Sequence, residues 1–195
     1  MTKAEKTRQF IIEQTASIFN KKGFAGTSLN DITAATGLTK GSVYGNFGGK
    51  DEVALAVFDY NLKKVTQIFE GELGKQSTVK DKLLAYTHVY GNFQNFPFPA
   101  GGCPMQNTAI EADDTHPALR KKAQSAILNW KRLITNLIQQ GIDNKEISTE
   151  VDPEQFALTM IATIEGMTMI SNLTKKPEYR KTIIDSVEKS ILALF

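Results

Sequence analysis

Cysteine is almost missing from this sequence, because Cys103 is the only one among 195 residues. One cysteine excludes an intramolecular disulfide and any metal site built from several thiolates. Histidine is nearly as scarce, and His88 and His116 lie too far apart along the chain to suggest a metal site. We therefore expect neither a structural metal nor a cofactor.

Long apolar runs are also missing. No stretch approaches the length needed to cross a bilayer, and the first ten residues, MTKAEKTRQF, lack the apolar core of a signal peptide. Hydrophobic residues make up 41% of the chain and charged residues 23%, which is typical of globular proteins. We expect a cytoplasmic protein without a membrane partner.

Residue groups arranged for catalysis are missing as well. The sequence has no phosphate-cradling glycine loop, no cluster of metal ligands and no nucleophile beside a base. The one candidate is Cys103, which lies in the loop Gly-Gly-Cys-Pro. We predict that the protein is not an enzyme and keep a small enzyme using Cys103 as an alternative. This thiol is either a redox sensor or a small buried residue.

Strand-type alternation, repeats and low-complexity segments do not occur, and what remains is a helical pattern. Capping residues, glycines and prolines divide this pattern into segments. The sequence predicts an all-α chain of about nine helices, which span about residues 4–22, 29–35, 40–46, 51–71, 79–94, 105–113, 116–141, 152–173 and 177–194.

Charge is distributed unevenly although the net charge is only +2. Residues 1–50 carry seven Lys or Arg against three acidic residues, whereas residues 51–195 carry 16 against 18. The basic residues 1–50 and the slightly acidic remainder of the chain favour binding of a polyanion, such as a nucleic acid, by the N-terminal segment.

The segment from Ser28 to Phe47, SLNDITAATGLTKGSVYGNF, predicts two short helices joined by a tight turn. Ser28 and Thr39 are suited to cap the two helices, and Gly37 allows the backbone to turn where the first must end. Apolar residues at helical spacing hold the pair together: Leu29, Ile32, Leu38, Val43 and Phe47. This pattern indicates a helix-turn-helix whose second helix enters a DNA major groove. A plain helical hairpin with a solvated face is the alternative.

The predicted DNA contacts are polar side chains on this second helix and at the helix starts. Lys40 and Tyr44 are suited to reach base edges or phosphates, because one donates from an ammonium and the other offers a ring and a hydroxyl. Lys50 precedes the next helix, where an ordinary solvated lysine is the alternative. The predicted set comprises Thr27, Ser28, Thr39, Lys40, Ser42, Tyr44, Asn46 and Lys50.

Residues 5–55 resemble the DNA-binding domain of the TetR family of bacterial transcriptional regulators. The resemblance is carried by FNKKGF at 19–24, TSLNDI at 27–32, GLTKGSVY at 37–44, Asn46-Phe47 and Lys50-Asp51-Glu52. The sequence departs from the family pattern at Thr33, where alanine is common, and at Gly45 and Asn46, where bulkier residues are common. We expect Thr33, a small β-branched residue, still to fit the helix crossing, and the departures at Gly45 and Asn46 to alter which phosphates or bases are touched.

The resemblance implies a three-helix DNA-binding domain over residues 1–50 and a larger ligand-binding and dimerisation domain over residues 51–195. It also implies a homodimer through the last two helices. The segment Asp152–Leu173 is apolar on nearly every face, so it is either the central core helix of a monomer or a helix that also meets a partner. A dimer also agrees with the symmetry of a palindromic double-stranded operator, because each half of the palindrome is bound by one recognition helix.

A small-molecule effector is expected in the larger domain. Aromatic and methionine side chains suit an apolar ligand cavity, although they suit an ordinary core equally well. The predicted ligand-binding residues are Phe69, Tyr86, Tyr90, Phe93, Phe96, Met105, Trp130 and the carboxylate Glu165. The sequence thus predicts a ligand-responsive repressor that a small, largely apolar molecule releases from DNA. Alternatives are a DNA-binding regulator without a ligand and a protein-interaction adaptor with a vestigial DNA head.

Overall fold

A computed structural model describes all 195 residues, and it contains nine α-helices, one short 3₁₀ turn and no strand. The all-α prediction is therefore confirmed. The helices are α1 Lys3–Lys22, α2 Leu29–Thr36, α3 Lys40–Asn46, α4 Lys50–Leu73, α5 Val79–Gly91, α6 Pro104–Ala112, α7 Pro117–Asp143, α8 Pro153–Thr174 and α9 Pro177–Leu192.

Capping side chains set most of the helix starts. Ser28 forms a capping box with Asp31, in which each side chain accepts from the backbone N–H of the other residue. The Thr39 hydroxyl accepts from the backbone N–H of Ser42 at the start of α3. The Asp152 carboxylate accepts from the first N–H groups of α8. All three caps confirm the starts predicted from the sequence.

Several predicted helix ends differ from the structure: α4 runs to Leu73 and not to residue 71, α5 ends at Gly91 and not at residue 94, and α7 passes Gly141. Gly141 was expected to terminate α7, but the helix continues to Asp143, and Lys145 then takes a left-handed conformation with φ 63°. Gly141 is buried, and a Cβ at this position would lie 2.6 Å from Cδ1 of Ile147. Gly141 therefore allows close packing inside the helix. In the sequence, a glycine with this role cannot be distinguished from a glycine that ends a helix.

The helices form two compact units, of which unit 1 comprises residues 1–65 and 99–126 and unit 2 comprises residues 66–98 and 127–195. Helices α4 and α7 each contribute to both units. This grouping differs from the expected division at residue 50, because α6 and the first turns of α7 pack with the N-terminal helices. A separate domain over residues 1–50 stays a prediction.

Unit 1 is built around α1, which packs against α2, α3 and α6. Ile11, Ile32 and Val43 are completely buried and come from these first three helices in turn. Phe47 closes α3 and is also buried. Ile32, Val43 and Phe47 of the predicted apolar stripe therefore form the core of the helix-turn-helix, whereas Leu29 and Leu38 are half-buried.

Unit 2 is built from the paired helices α8 and α9, with α5 packed on α9. Its fully buried side chains include Leu83 on α5, Ile134 and Ile138 on α7, Ile164 on α8 and Ile191 on α9. The expectation that no stretch approaches the length needed to cross a bilayer is wrong for α8. This helix has the length and apolarity of a membrane span, with a mean hydropathy of 1.3, although one such helix is also what a protein core contains.

Candidate nucleic-acid interface and aromatic cluster

Helix α3 has one buried and one open face. Val43 and Phe47 point into the core of unit 1, whereas Lys40 is exposed and Tyr44 is 56% exposed. Lys40 and Tyr44 lie one helical turn apart, so their side chains stand side by side. Neither side chain forms a hydrogen bond or an ion pair with the rest of the chain. Both are free to reach a polyanion.

Other predicted contact residues form hydrogen bonds within α3 and so stabilise this helix. The Thr39 hydroxyl lies 3.1 Å from the backbone nitrogen of Ser42 as the cap. The side-chain amide of Asn46 donates to the carbonyl of Ser42 at 2.8 Å, one turn back. Their proposed role in DNA binding is therefore to shape the helix and its ends.

The start of α2 carries a charged cap. The Ser28 hydroxyl donates to the Asp31 carboxylate at 2.6 Å, and the ammonium of Lys22 lies 2.6 Å from the other carboxylate oxygen. Hydrogen bonds from Lys22 and then from Ser28 hold the pKa of Asp31 well below its usual range. The carboxylate thus stays ionised and joins the end of α1 to the start of α2.

Two of the predicted phosphate contacts, Thr27 and Lys50, are hydrogen-bonded within the chain. Thr27 is completely buried, and its hydroxyl donates to the carbonyl of Gly23 at 2.6 Å, so this side chain does not face a phosphate. The Lys50 ammonium donates to the carbonyl of Phe24 at 2.8 Å and lies 4.0 Å from the centre of its ring. Lys50 therefore stabilises the turn after α1 in this conformation.

Arg8 is a site residue that the sequence reasoning missed. Its guanidinium donates to the carbonyl of Asn46, pairs with the carboxylate of Glu52 and lies 3.9 Å from the centre of the Phe47 ring. Glu52 also accepts from the backbone N–H of Gly48, and this bond followed by the one from Arg8 lowers the pKa of the Glu52 carboxyl. Arg8 thus fixes the end of the candidate recognition helix.

Glu111 on α6 is the second missed residue. One carboxylate oxygen accepts from the backbone N–H of Phe24 at 2.6 Å and the other from that of Ala25 at 2.7 Å. These amides lie in the turn between α1 and α2. No local signal reveals such a contact, because its partners are 86 and 87 residues away. We call this arrangement the Glu111 clip.

Unit 2 contains a cluster of stacked rings that includes half of the predicted ligand-binding residues. Phe69 lies 5.1 Å from Tyr86 and 5.3 Å from Tyr90, measured between ring centres. Trp130 lies 5.6 Å from Tyr90 and 6.4 Å from Tyr86. We call Phe69, Tyr86, Tyr90 and Trp130 the aromatic cluster. Burial raises the pKa of Tyr86 to about 12, so its phenol is neutral in a surrounding of low polarity.

The other predicted ligand-binding residues are spread around this cluster. Phe93 stacks on Phe98, a residue that the prediction omitted, and Phe96 meets the ring of His88 edge-on. Glu165 lies half-buried on α8. Met105 belongs to unit 1 and is not part of the same compact unit.

Cys103 is 4% exposed and precedes the first residue of α6. Burial agrees with the interpretation of Cys103 as a small packed residue, and the redox reading stays a prediction. No group of three or more His, Cys, Asp or Glu residues is placed to hold a metal ion.

Comparison with known proteins adds independent evidence. Residues 11–57 match the family described as bacterial regulatory proteins of the tetR family, and residues 79–187 match the tetracyclin repressor-like C-terminal domain. A TetR-family regulator from Cytophaga hutchinsonii has 47% identity and a TM-score of 0.94, with 100% of this chain and 97% of that chain covered. A TetR regulator from Chloroflexus aurantiacus has 38% identity and a TM-score of 0.93, with 98% and 97% covered.

Among the curated relatives, the transcriptional repressor DhaR of Mycobacterium sp. strain GP1 is 23% identical over 193 residues, which are 95% of this chain and 92% of DhaR. The probable regulator ArpR of Pseudomonas putida is 27% identical over 170 residues, with 84% and 79% covered. The C-terminal family match alone spans more than half of the sequence. The chain therefore belongs to the TetR family, whose members are DNA-binding transcriptional regulators and typically ligand-responsive repressors.

Proposed function

We propose that this protein is a homodimeric repressor that leaves a palindromic operator when a small, largely apolar molecule binds in unit 2. The observation that carries the proposal is the open face of α3. Lys40 and Tyr44 stand exposed and unengaged on a helix whose other face is locked into the core. A recognition helix needs this combination of a rigid support and free polar tips.

Lys40 and Tyr44 are assigned the DNA contacts that decide affinity. An ammonium donates to guanine O6 and N7 or to a phosphate, and a tyrosine contacts a thymine methyl or a phosphate. The helix starts and ends that face the DNA are shaped by the other predicted contact residues, which are Ser28, Thr39, Ser42 and Asn46. Thr27 is left out of the proposed contacts because its side chain is buried.

The dimer is proposed to form through α8 and α9. These helices pack on each other, yet they leave several large apolar side chains in solvent, among them Leu158, Met169, Leu173 and Leu192. Apolar surface of this kind on paired helices is typical of a protein interface. A two-fold dimer would give the protein two copies of α3 for the two halves of a palindrome.

The proposal is tested by gel shift with the DNA that flanks the protein's own gene. We expect Lys40→Ala and Tyr44→Ala each to weaken operator binding by at least about tenfold, since each change removes a contact worth about 1–3 kcal/mol. The fold should persist, because both side chains are exposed and lie outside the core.

Lys63→Ala is the matched control. Lys63 is an exposed lysine on α4 outside the helix-turn-helix, so its loss removes the same charge at another place. Unchanged operator affinity of both α3 variants, with circular dichroism showing intact helices, would reject α3 as the recognition helix. Equal losses in all three variants would indicate non-specific attraction to DNA.

A further inference from the structure

The indole N–H of Trp130 is a buried donor for which the folded chain supplies no acceptor. Trp130 is only 6% exposed, so bulk water does not compensate the missing bond. Buried N–H groups in native proteins almost always have a partner, because an unpaired donor costs free energy. The indole N–H of Trp130 therefore needs an acceptor that the chain itself does not supply.

The surroundings of this donor are flat aromatic surfaces. The Trp130 ring is inclined by 25° to Tyr90 and by 29° to Tyr86, and Phe69 is inclined by 26° to Tyr86. These rings come from α4, α5 and α7, and they lie nearly parallel and offset from one another. Offset parallel stacking is a preferred arrangement of aromatic pairs, and a flat aromatic ring is the kind of group that extends such a stack.

The buried, largely apolar rings of the cluster disfavour a charged occupant. Tyr86 is 1% exposed and Trp130 6%, so a charge placed beside these rings would be removed from water. The buried guanidinium of Arg180 already donates to the Tyr90 carbonyl and to the Ser171 hydroxyl. Burying a further charge among these rings would be costly.

We propose that the ligand of unit 2 is an uncharged aromatic compound with a hydrogen-bond acceptor, and that this acceptor takes the indole N–H of Trp130. The rings of the cluster hold the flat body of the ligand, and the indole fixes its orientation. This assignment rests on the proposed function, because it names the chemical class of the effector.

Quinoline and naphthalene form a matched pair of probes, since they share size and shape and differ in one ring nitrogen that accepts a hydrogen bond. The full-length protein contains a single tryptophan and therefore gives one indole N–H signal in a nitrogen–proton NMR spectrum. We expect quinoline to move this signal downfield and to bind about tenfold more tightly than naphthalene, as one additional satisfied hydrogen bond implies.

Two variants separate the hydrogen bond from the stacking. Trp130→Phe keeps a ring but removes the donor, so the preference for quinoline should fall to about twofold or less. Phe69→Leu removes a stacking surface but keeps the donor, so both probes should bind more weakly while the tenfold preference remains. Calorimetry measures both variants without depending on the tryptophan signal.

Several results would overturn the assignment. These are equal affinities of the two probes for the wild-type protein, absence of binding by both, or a preference for quinoline that survives Trp130→Phe. Tighter binding of 2-naphthoate than of quinoline would overturn the uncharged class. Operator release is measured separately. Binding of quinoline through Trp130 without any loss of operator affinity would contradict the proposed repressor mechanism and leave the ligand class standing.

Discussion

At the scale of single residues, Gly37 is the position on which the geometry of the helix-turn-helix depends. It ends α2 with φ 68°, a left-handed conformation in which its N–H still donates to the carbonyl of Thr33. A Cβ at this position would meet no atom within 4 Å. Any cost of replacing Gly37 therefore comes from the backbone conformation and not from a clash.

We expect Gly37→Ala to lower the free energy of unfolding by about 1 kcal/mol, the usual cost of placing a side chain in the left-handed region. Gly45→Ala is the matched control, because Gly45 also has open space around it but lies within α3. That change should be neutral or slightly stabilising. Urea unfolding at fixed protein concentration measures both, and equal effects of the two changes would contradict the assignment.

Tyr86 gives a prediction about pH. Burial raises its pKa from 10.0 to about 12, so the neutral phenol is favoured in the folded state. The associated stability is complete below pH 10 and is lost as the pH rises from 10 towards 12. We expect the wild-type protein to lose about 1.4 kcal/mol more than Tyr86→Phe between pH 8 and pH 11. Denaturant unfolding across this range measures the difference, and parallel curves for the two proteins would refute it.

At the scale of helices, the Glu111 clip connects α6 to the turn between α1 and α2. Both carboxylate oxygens are used, one for each backbone N–H of Phe24 and Ala25. An amide in place of the carboxylate has only one oxygen, and its NH₂ group faces an N–H donor. The clip therefore depends on the carboxylate and not merely on a polar side chain.

We expect Glu111→Gln to speed hydrogen exchange at the Phe24 and Ala25 amides by about tenfold or more, since a charge-assisted bond to each is weakened. Operator binding should weaken as well, because the turn that positions α2 and α3 is less restrained. Glu13→Gln is the control, since Glu13 is an exposed carboxylate on α1 that accepts only from Gln9. Unchanged exchange at Phe24 and Ala25 in the Glu111 variant would show that the clip does not restrain the turn.

The helix-turn-helix was predictable because its determinants are local. Ser28 caps through Asp31, three residues away, and Thr39 caps through Ser42 at the same spacing. Arg8 and Glu111 were not predictable, because their partners are 38 to 87 residues away and either side chain alone has the pattern of a solvated charge.

The aromatic cluster is a second case in which contacts between residues distant in the sequence could not be predicted. The sequence identified the ring residues of unit 2 but not their order of stacking, such as the pairing of Phe93 with Phe98. Composition indicates that rings will be buried together. Which ring faces which is decided by packing between helices that are distant in the sequence.

At the scale of the whole molecule, the exposed face of α8 is the feature that a single chain leaves unexplained. Leu158, Ala162, Met169 and Leu173 are exposed and fall on one side of the helix, at spacings of four, seven and four residues. A groove of about 230 Å³ between α8 and α9 lies in the same unit and is lined by Met160, Val187 and small hydroxyl residues. An apolar stripe beside a groove suits the packing of a second copy of the same helices.

Ala162 lies in the middle of this stripe and is exposed in the single chain, so Ala162→Arg should leave the protomer folded. The same change places a charged side chain inside the proposed interface, where it has no partner. We expect a monomer in sedimentation at micromolar concentration. Operator affinity should fall about a hundredfold or more, because two linked recognition helices become two independent ones. Ser125→Arg adds the same side chain at an exposed position in the first third of α7 and should leave both properties unchanged. A dimer that survives Ala162→Arg with full operator affinity would place the two-fold interface elsewhere on the molecule.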